Sequence, residues 1–168
     1  MVFLYVFIMG SIAGYFMELF YKRLISEKTW HNVGFLKGPY LPQYGFGAVI
    51  MYLVCGFDAG FLGRFFLFFI LLSCLEYITG FIFIKKLGYT YWDYSKRKYN
   101  IYGLVCPLFS FIWATLGSVF YYTIYPLFKF TLPKWSALIA LLILGIIVID
   151  FINTLYKLIN LFLKNRWQ

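Results

Sequence analysis

Charged groups are scarce in this chain. Of its 168 residues 12% are charged, six are acids, and there is a single histidine, His31. One histidine cannot build a multi-histidine metal site or the two-histidine spacing of a zinc peptidase. The three cysteines, Cys55, Cys74 and Cys106, lie in or beside apolar runs without paired spacing. They make neither a disulfide framework nor a thiolate metal site and act as small hydrophobes. No glycine-rich loop ending in Lys-Ser or Lys-Thr is present, which removes nucleotide hydrolysis by that route. No serine lies in a nucleophile elbow, and a pairing of His31 with the distant Ser95 is not favoured. The sequence assigns no catalytic residue, no metal ligand and no cofactor.

What is present is apolar. Hydrophobic residues make up 63% and aromatic residues 25%, and the mean hydropathy is +0.81, the composition of a membrane protein. Crossing a bilayer takes about 20 apolar residues in a helix. Runs of that kind cover 2–21, 61–84, 103–128 and 136–156, with a shorter one at 44–57. The expected fold is all-α, a polytopic membrane protein of five transmembrane helices forming one domain over 1–168. The first run has no cation before it and no small-residue cleavage site before Lys22 and Arg23, so it reads as a retained helix.

The net charge of +9 would suit a nucleic-acid surface, but the cations gather at the ends of apolar runs, and no nucleic-acid partner is assigned. Assigning loops alternately puts twelve cations on one side and three (Arg64, Lys129 and Lys134) on the other. The positive-inside rule then expects the N-terminus outside and the C-terminus in the cytoplasm.

A repeat is legible. The first run carries Glu18, then a basic end, Trp30, Asn32, Gly34 and Pro39; the third carries Glu76, then a basic end, Trp92, Asn100, Gly103 and Pro107. This reads as two helical hairpins of the same orientation, 1–58 and 61–128, with a fifth helix at 135–158. Between the first two runs, "GFLKGPYLPQYGFG" holds Gly34, Gly38, Pro39, Pro42 and Gly45, too many helix breakers for a stable helix. Two readings stay open there, a broken or re-entrant segment leading into the second helix and an ordinary interfacial loop.

Three acids, Glu18, Glu76 and Asp150, lie inside apolar runs, where an unpaired, lipid-facing carboxylate is costly. Glu18 is four residues from Gly14 and eight from Gly10; Glu76 follows Ser73 by three and precedes Gly80 by four. Both therefore share a face with small residues and should point into the bundle, approaching each other. Each is either a structural anchor bonded to a tyrosine, an asparagine or a loop cation, or part of a site for a cation, a proton or a cationic group. Asp150 reads as part of a local polar stripe with Asn153 and Lys157. Ser110, Ala114 and Gly117 form a further close-packing stripe.

The most polar stretch, "GYTYWDYSKRKYNIYG", has two readings. In one, Trp92 and Tyr94 anchor at the interface, Asp93 closes a turn, and Lys96, Arg97 and Lys98 grip anionic headgroups. In the other, the turn folds inward as a gate, with Asp93 and Asn100 bonded to the glycine-rich segment 34–47.

"NVGFLKGPYLPQYGFGAV" and "YWDYSKRKYNIYGLVCPLFSFIW", each preceded by an intramembrane Glu, resemble the bacterial membrane proteins grouped as the putative ABC-transporter type IV, or CmpB-like, family. The resemblance spans about 14–113, with matches at Glu18, Asn32, Gly34, Gly38, Pro39, Pro42, Tyr44, Gly45, Glu76, Gly80, Trp92, Asp93, Tyr94, Ser95, Asn100, Gly103 and Trp113. It implies a bacterial cell-membrane protein named as a permease, and a separate ATPase subunit as partner. The expected function is a small permease or permease subunit moving a solute or ion. Its polar site near the cytoplasmic face would comprise Glu18, Glu76, Asn32, Asn100, Trp92, Asp93, Tyr94 and Ser95, shaped by Gly34, Gly38, Pro39, Pro42, Gly45 and Gly103. Five short helices leave a narrow path, so a homo-oligomer or a partner membrane subunit in the lipid bilayer is expected. The alternatives are a membrane-embedded enzyme acting on a lipid or lipid-linked phosphate at the inner leaflet, and a non-transporting scaffold or sensor subunit.

Overall fold

The computed structural model describes residues 1–26, 33–129 and 134–166. Among them are five α-helices and no strand: α1 (Val2–Tyr21), α2 (Pro42–Cys55), α3 (Gly60–Gly80), α4 (Pro107–Thr123) and α5 (Lys134–Arg166). Three spans are long and apolar enough to cross a membrane, Val2–Ile25, Gly60–Lys85 and Ser136–Asn160. With 14 and 17 residues, α2 and α4 are shorter than the roughly 20 residues of a full crossing. The run at 103–128 yields a shorter helix because a tight turn occupies its start and a 3-10 turn, Tyr125–Lys129, its end. Both α2 and α4 begin on a proline, Pro42 and Pro107, at the position where the missing N–H would have had no helical partner.

Two helices change pitch at their ends. α1 runs on into a π-helical turn at Lys22–Ser26 and α3 into another at Phe81–Lys86, where the Leu87 amide donates to the Ile82 carbonyl at 3.1 Å. Such wider turns are uncommon and gather at functional sites.

The chain forms two compact units, 1–46 with 132–168, and 47–131. In the first, α1 packs on α5, with the Tyr5 and Ser136 hydroxyls 2.8 Å apart. Val6, Ile8, Ala140 and Ile147 of these helices are buried. The segment before α2 has no helix, as its glycines and prolines foretold, yet Val33, Leu36, Tyr40 and Leu41 within it are buried. Irregular backbone surrounded by protein needs named partners for its polar groups.

The second unit is built on α3 and α4 with the later turns of α2. Met51, Val54, Cys55, Phe68, Leu72 and Ala114 form its core. The stripe of Ser110, Ala114 and Gly117 is buried as expected, and Gly117 takes the Phe68 ring where a Cβ would collide. Ser73 Oγ donates to Ser110 Oγ at 2.6 Å, and Ser110 Oγ to the Cys106 carbonyl at 3.2 Å. Arg64, counted from sequence as a loop charge, is a buried residue of α3 instead. Its guanidinium lies 3.9 Å from the centre of the Tyr121 ring and donates to the Phe57 and Gly60 carbonyls.

Large apolar side chains cover the outside of the helices, among them Phe16, Leu62, Phe66, Leu142 and Ile146. That surface belongs in lipid.

Candidate functional site

The first intramembrane carboxylate owes its surroundings to a glycine one turn away. Gly14 and Glu18 lie on one face of α1, and Gly14 is buried against the Tyr44 ring so closely that no Cβ could fit. From that position Tyr44 donates its hydroxyl to Glu18 Oε2 at 2.8 Å. A second close approach fixes the same helix pair: a Cβ on Gly45 would strike Ser11 Oγ and the Phe7 carbonyl. Ser11 Oγ turns back to the Phe7 carbonyl at 2.7 Å, and the Ser11 carbonyl accepts the Leu41 amide at 2.9 Å.

The glycine- and proline-rich segment finds its main polar partner in α5. Asp150 Oδ2 accepts the Lys37 amide at 2.9 Å, the Gly38 amide at 3.1 Å and the Tyr40 hydroxyl at 2.9 Å. Asp150 Oδ1 accepts the Thr154 hydroxyl at 3.3 Å, and the Phe35 and Phe151 rings meet edge to face beside it. Burial, then the Asp150 carboxylate, push the Tyr40 phenol up to about 12, so it remains a donor at neutral pH. The stripe with Asn153 and Lys157 is thus corrected, since Asp150 acts on a loop more than a hundred residues away. A buried loop rich in N–H groups needs an acceptor, and that was the only signal in the sequence.

In the second unit Glu76 is 3% exposed and accepts the Tyr94 hydroxyl on Oε1 at 3.0 Å. Here too a glycine lies one turn away: Gly80 faces Trp92 and Leu104, and a Cβ would stand 3.1 Å from the Trp92 ring. The Trp92 indole donates to the Leu104 carbonyl at 2.7 Å, and the Tyr94 ring stacks on Phe109 with centroids 4.5 Å apart. Trp92 and Tyr94 are thereby held on the unit's own helices.

Between them the loop is closed by its own polar groups. Asp93 Oδ1 accepts the Ser95 amide at 2.8 Å and the Ser95 hydroxyl at 2.6 Å. These two bonds, hydroxyl first, hold the Asp93 carboxyl below its ordinary range, with Lys85 and Lys96 adding to the effect. Asn100 donates to the Ser95 and Arg97 carbonyls and accepts the Gly103 amide at 2.9 Å. Gly103 has φ +74°, and a Cβ there would stand 2.6 Å from Ser95 Oγ. Among the described residues, the bonds of Asp93 and Asn100 are internal to their own turn. Lys96, Arg97 and Lys98 are exposed.

Of the remaining expected residues, Gly34 is half-buried, Pro39 is exposed and Pro42 opens α2. Asn32 lies outside the described residues. Among the described residues no group of histidine, cysteine and acidic side chains could hold a metal.

Two arrangements thus recur, one in each unit: a carboxylate on an apolar helix, close before a π-helical turn, holding a tyrosine hydroxyl. No curated protein and no solved structure matches the chain. A family model described as "Putative ABC-transporter type IV" matches residues 5–155. With nine-tenths of its length covered by that match, the chain belongs to this family of ABC-transporter-related membrane proteins.

Proposed function

We propose that the chain is a small permease or permease subunit whose polar handles are Glu18 and Glu76, each serving a cation, a proton or a cationic group of a solute. The recurrence of the carboxylate–tyrosine pair carries this reading. A carboxylate in an apolar helix costs about 2.5–3.5 kcal/mol on the insertion scale, whereas a hydrogen bond to a charged group contributes about 1.5–3 kcal/mol. The pair therefore does little for stability, and a function explains it better than anchoring does. Tyr44 and Tyr94 orient the carboxylates, and the adjoining π-helical turns leave backbone groups that can rearrange.

The charge pattern supports a cytoplasmic setting for the 88–103 loop, an external N-terminus and a cytoplasmic C-terminus in a bacterial cell membrane. The protein works as a homo-oligomer or with a partner membrane subunit, and its family membership supports a separate ATPase. The test is flux of protons, sodium and potassium across phosphatidylcholine vesicles holding the full chain. Glu18→Gln and Glu76→Gln are each expected to lower the flux at least tenfold; flux unchanged in both variants refutes the reading.

A further inference from the structure

Between α3 and the segment leading into α4 lies a groove of about 460 Å³, within the roughly 300–1,000 Å³ of ligand pockets. Phe69, Tyr77 and Ile78 of α3 line it together with Val105, Pro107, Tyr99 and Ile101. Besides the phenols of Tyr77 and Tyr99, the lining holds the hydroxyls of Ser73 and Ser110, which lie 2.6 Å apart and within hydrogen-bonding reach of the Phe69 and Cys106 carbonyls. The lining is predominantly apolar. Cys74, the exposed one of the three cysteines, opens into the same groove.

The segment leading into α4 is held in an unusual shape. Tyr99 and Tyr102 have φ of 58° and 54°, a left-handed conformation that a bulky residue adopts only when its surroundings impose it. The bonds of Asn100, the bridge between Ile101 and Val105, and the Tyr94 amide on the Gly103 carbonyl impose it here. The result keeps Tyr99, 85% exposed, in the lining of the groove. Directly before it come Lys96, Arg97 and Lys98, all exposed. An apolar trough lined by Tyr99, which follows three exposed cations directly in the chain, has the chemistry of one amphiphile, a molecule with a hydrocarbon tail and an anionic head.

We propose that this groove seats an acyl chain of an anionic phospholipid whose phosphate rests on Lys96, Arg97 and Lys98. The site goes beyond the permease reading and does not depend on Glu18 or Glu76. Its occupant is a bilayer lipid, because both wall helices present apolar side chains to the outside, such as Ile78 at 56% and Phe111 at 55% exposure.

The test uses the full chain in phosphatidylcholine vesicles doped with phosphatidylglycerol or phosphatidylcholine bearing a photoreactive group on the acyl chain, with the labelled peptides mapped. Phosphatidylglycerol is expected to label 73–78 and 105–110 several-fold more than phosphatidylcholine does. Replacing Lys96, Arg97 and Lys98 together by Gln, all on the surface, should abolish that preference while the melting temperature holds. Cys74→Trp, which fills the trough, should lower labelling at 105–110. Equal labelling by the two lipids, or labelling spread evenly over all helices, would make this an ordinary lipid-facing surface and overturn the proposal. So would a Cys74–Cys74 disulfide between two copies of the chain, formed in the same vesicles under an added copper–phenanthroline oxidant, which would identify a second copy as the occupant.

Discussion

The carboxylate of Asp150, on α5, accepts the backbone N–H of Gly38 at 3.1 Å across 112 residues of sequence. With Lys37 and Tyr40 on the same oxygen, it holds the irregular segment before α2. Asp150→Ala leaves two amides without their acceptor, at about 1–3 kcal/mol each where they are shielded from water. The variant is expected to melt several degrees lower in detergent and to be cut by protease within 33–41. Asn153→Ala, on an exposed position, should stay within about 0.5 kcal/mol of the parent. Equal effects of the two would restore the local stripe.

Gly14 and Gly145 separate close packing from mere helix propensity. A Cβ at Gly14 meets the Tyr44 ring, whereas one at Gly145 meets nothing within 4 Å. Gly14→Ala should destabilise by about 1–3 kcal/mol through overpacking and displace the Tyr44 hydroxyl from Glu18. Gly145→Ala should be neutral or stabilising by up to about 1 kcal/mol. Thermal melts of the two variants decide it.

Much of this was legible in the sequence, where the physics is local. The apolar runs mark the helices, the glycines and prolines of 34–42 mark the break before α2, and four-residue spacing places Gly14 with Glu18 and Glu76 with Gly80. Tyrosine was among the partners expected for each carboxylate, and Tyr44 and Tyr94 fill that role. Three features were not legible. Asp150 reaches a loop that only tertiary folding brings near. The π-helical turns continue helical-looking sequence, and hydropathy does not distinguish a wider pitch. Arg64 looked like a loop cation because its partners are an aromatic face and two carbonyls, which leave no charge pattern.

Arg64 ties the end of α2 to α3 and α4 through one planar group. Arg64→Lys keeps the charge but loses the fork and the stacking on Tyr121, and should cost about 1–3 kcal/mol. Tyr121→Leu should cost less, since both carbonyl bonds survive it. A lysine variant as stable as the parent would show that charge alone matters there.

The Asp93 turn has a defined response to acid. Its carboxyl titrates below the ordinary value because the folded loop donates two Ser95 bonds to it. A lowered folded value means that the contribution is complete above the unfolded value of about 3.9 and is lost as pH falls through the folded one. Hydrogen exchange at the Ser95 amide should thus show protection that is flat from neutral pH down to about 4 and lost only in stronger acid. Loss of protection between neutral and mildly acid pH would contradict this origin. Gly103→Ala, strained at φ +74° and crowded by Ser95 Oγ, should open the same turn at all pH values.

The central claim is that Glu18 and Glu76 act on a solute and do not merely anchor their tyrosines. Tyr94→Phe removes the hydrogen bond and keeps the carboxylate, whereas Glu76→Gln keeps an acceptor for the Tyr94 hydroxyl and removes the charge, so the two roles predict different pairs of outcomes. The decisive measurement compares cation flux in vesicles for Glu76→Gln and Tyr94→Phe, with melting temperatures taken on the same preparations. The account predicts similar melting temperatures, near-complete loss of flux in Glu76→Gln and at most a few-fold loss in Tyr94→Phe. Equal flux in the two variants, falling only in step with stability, would contradict it.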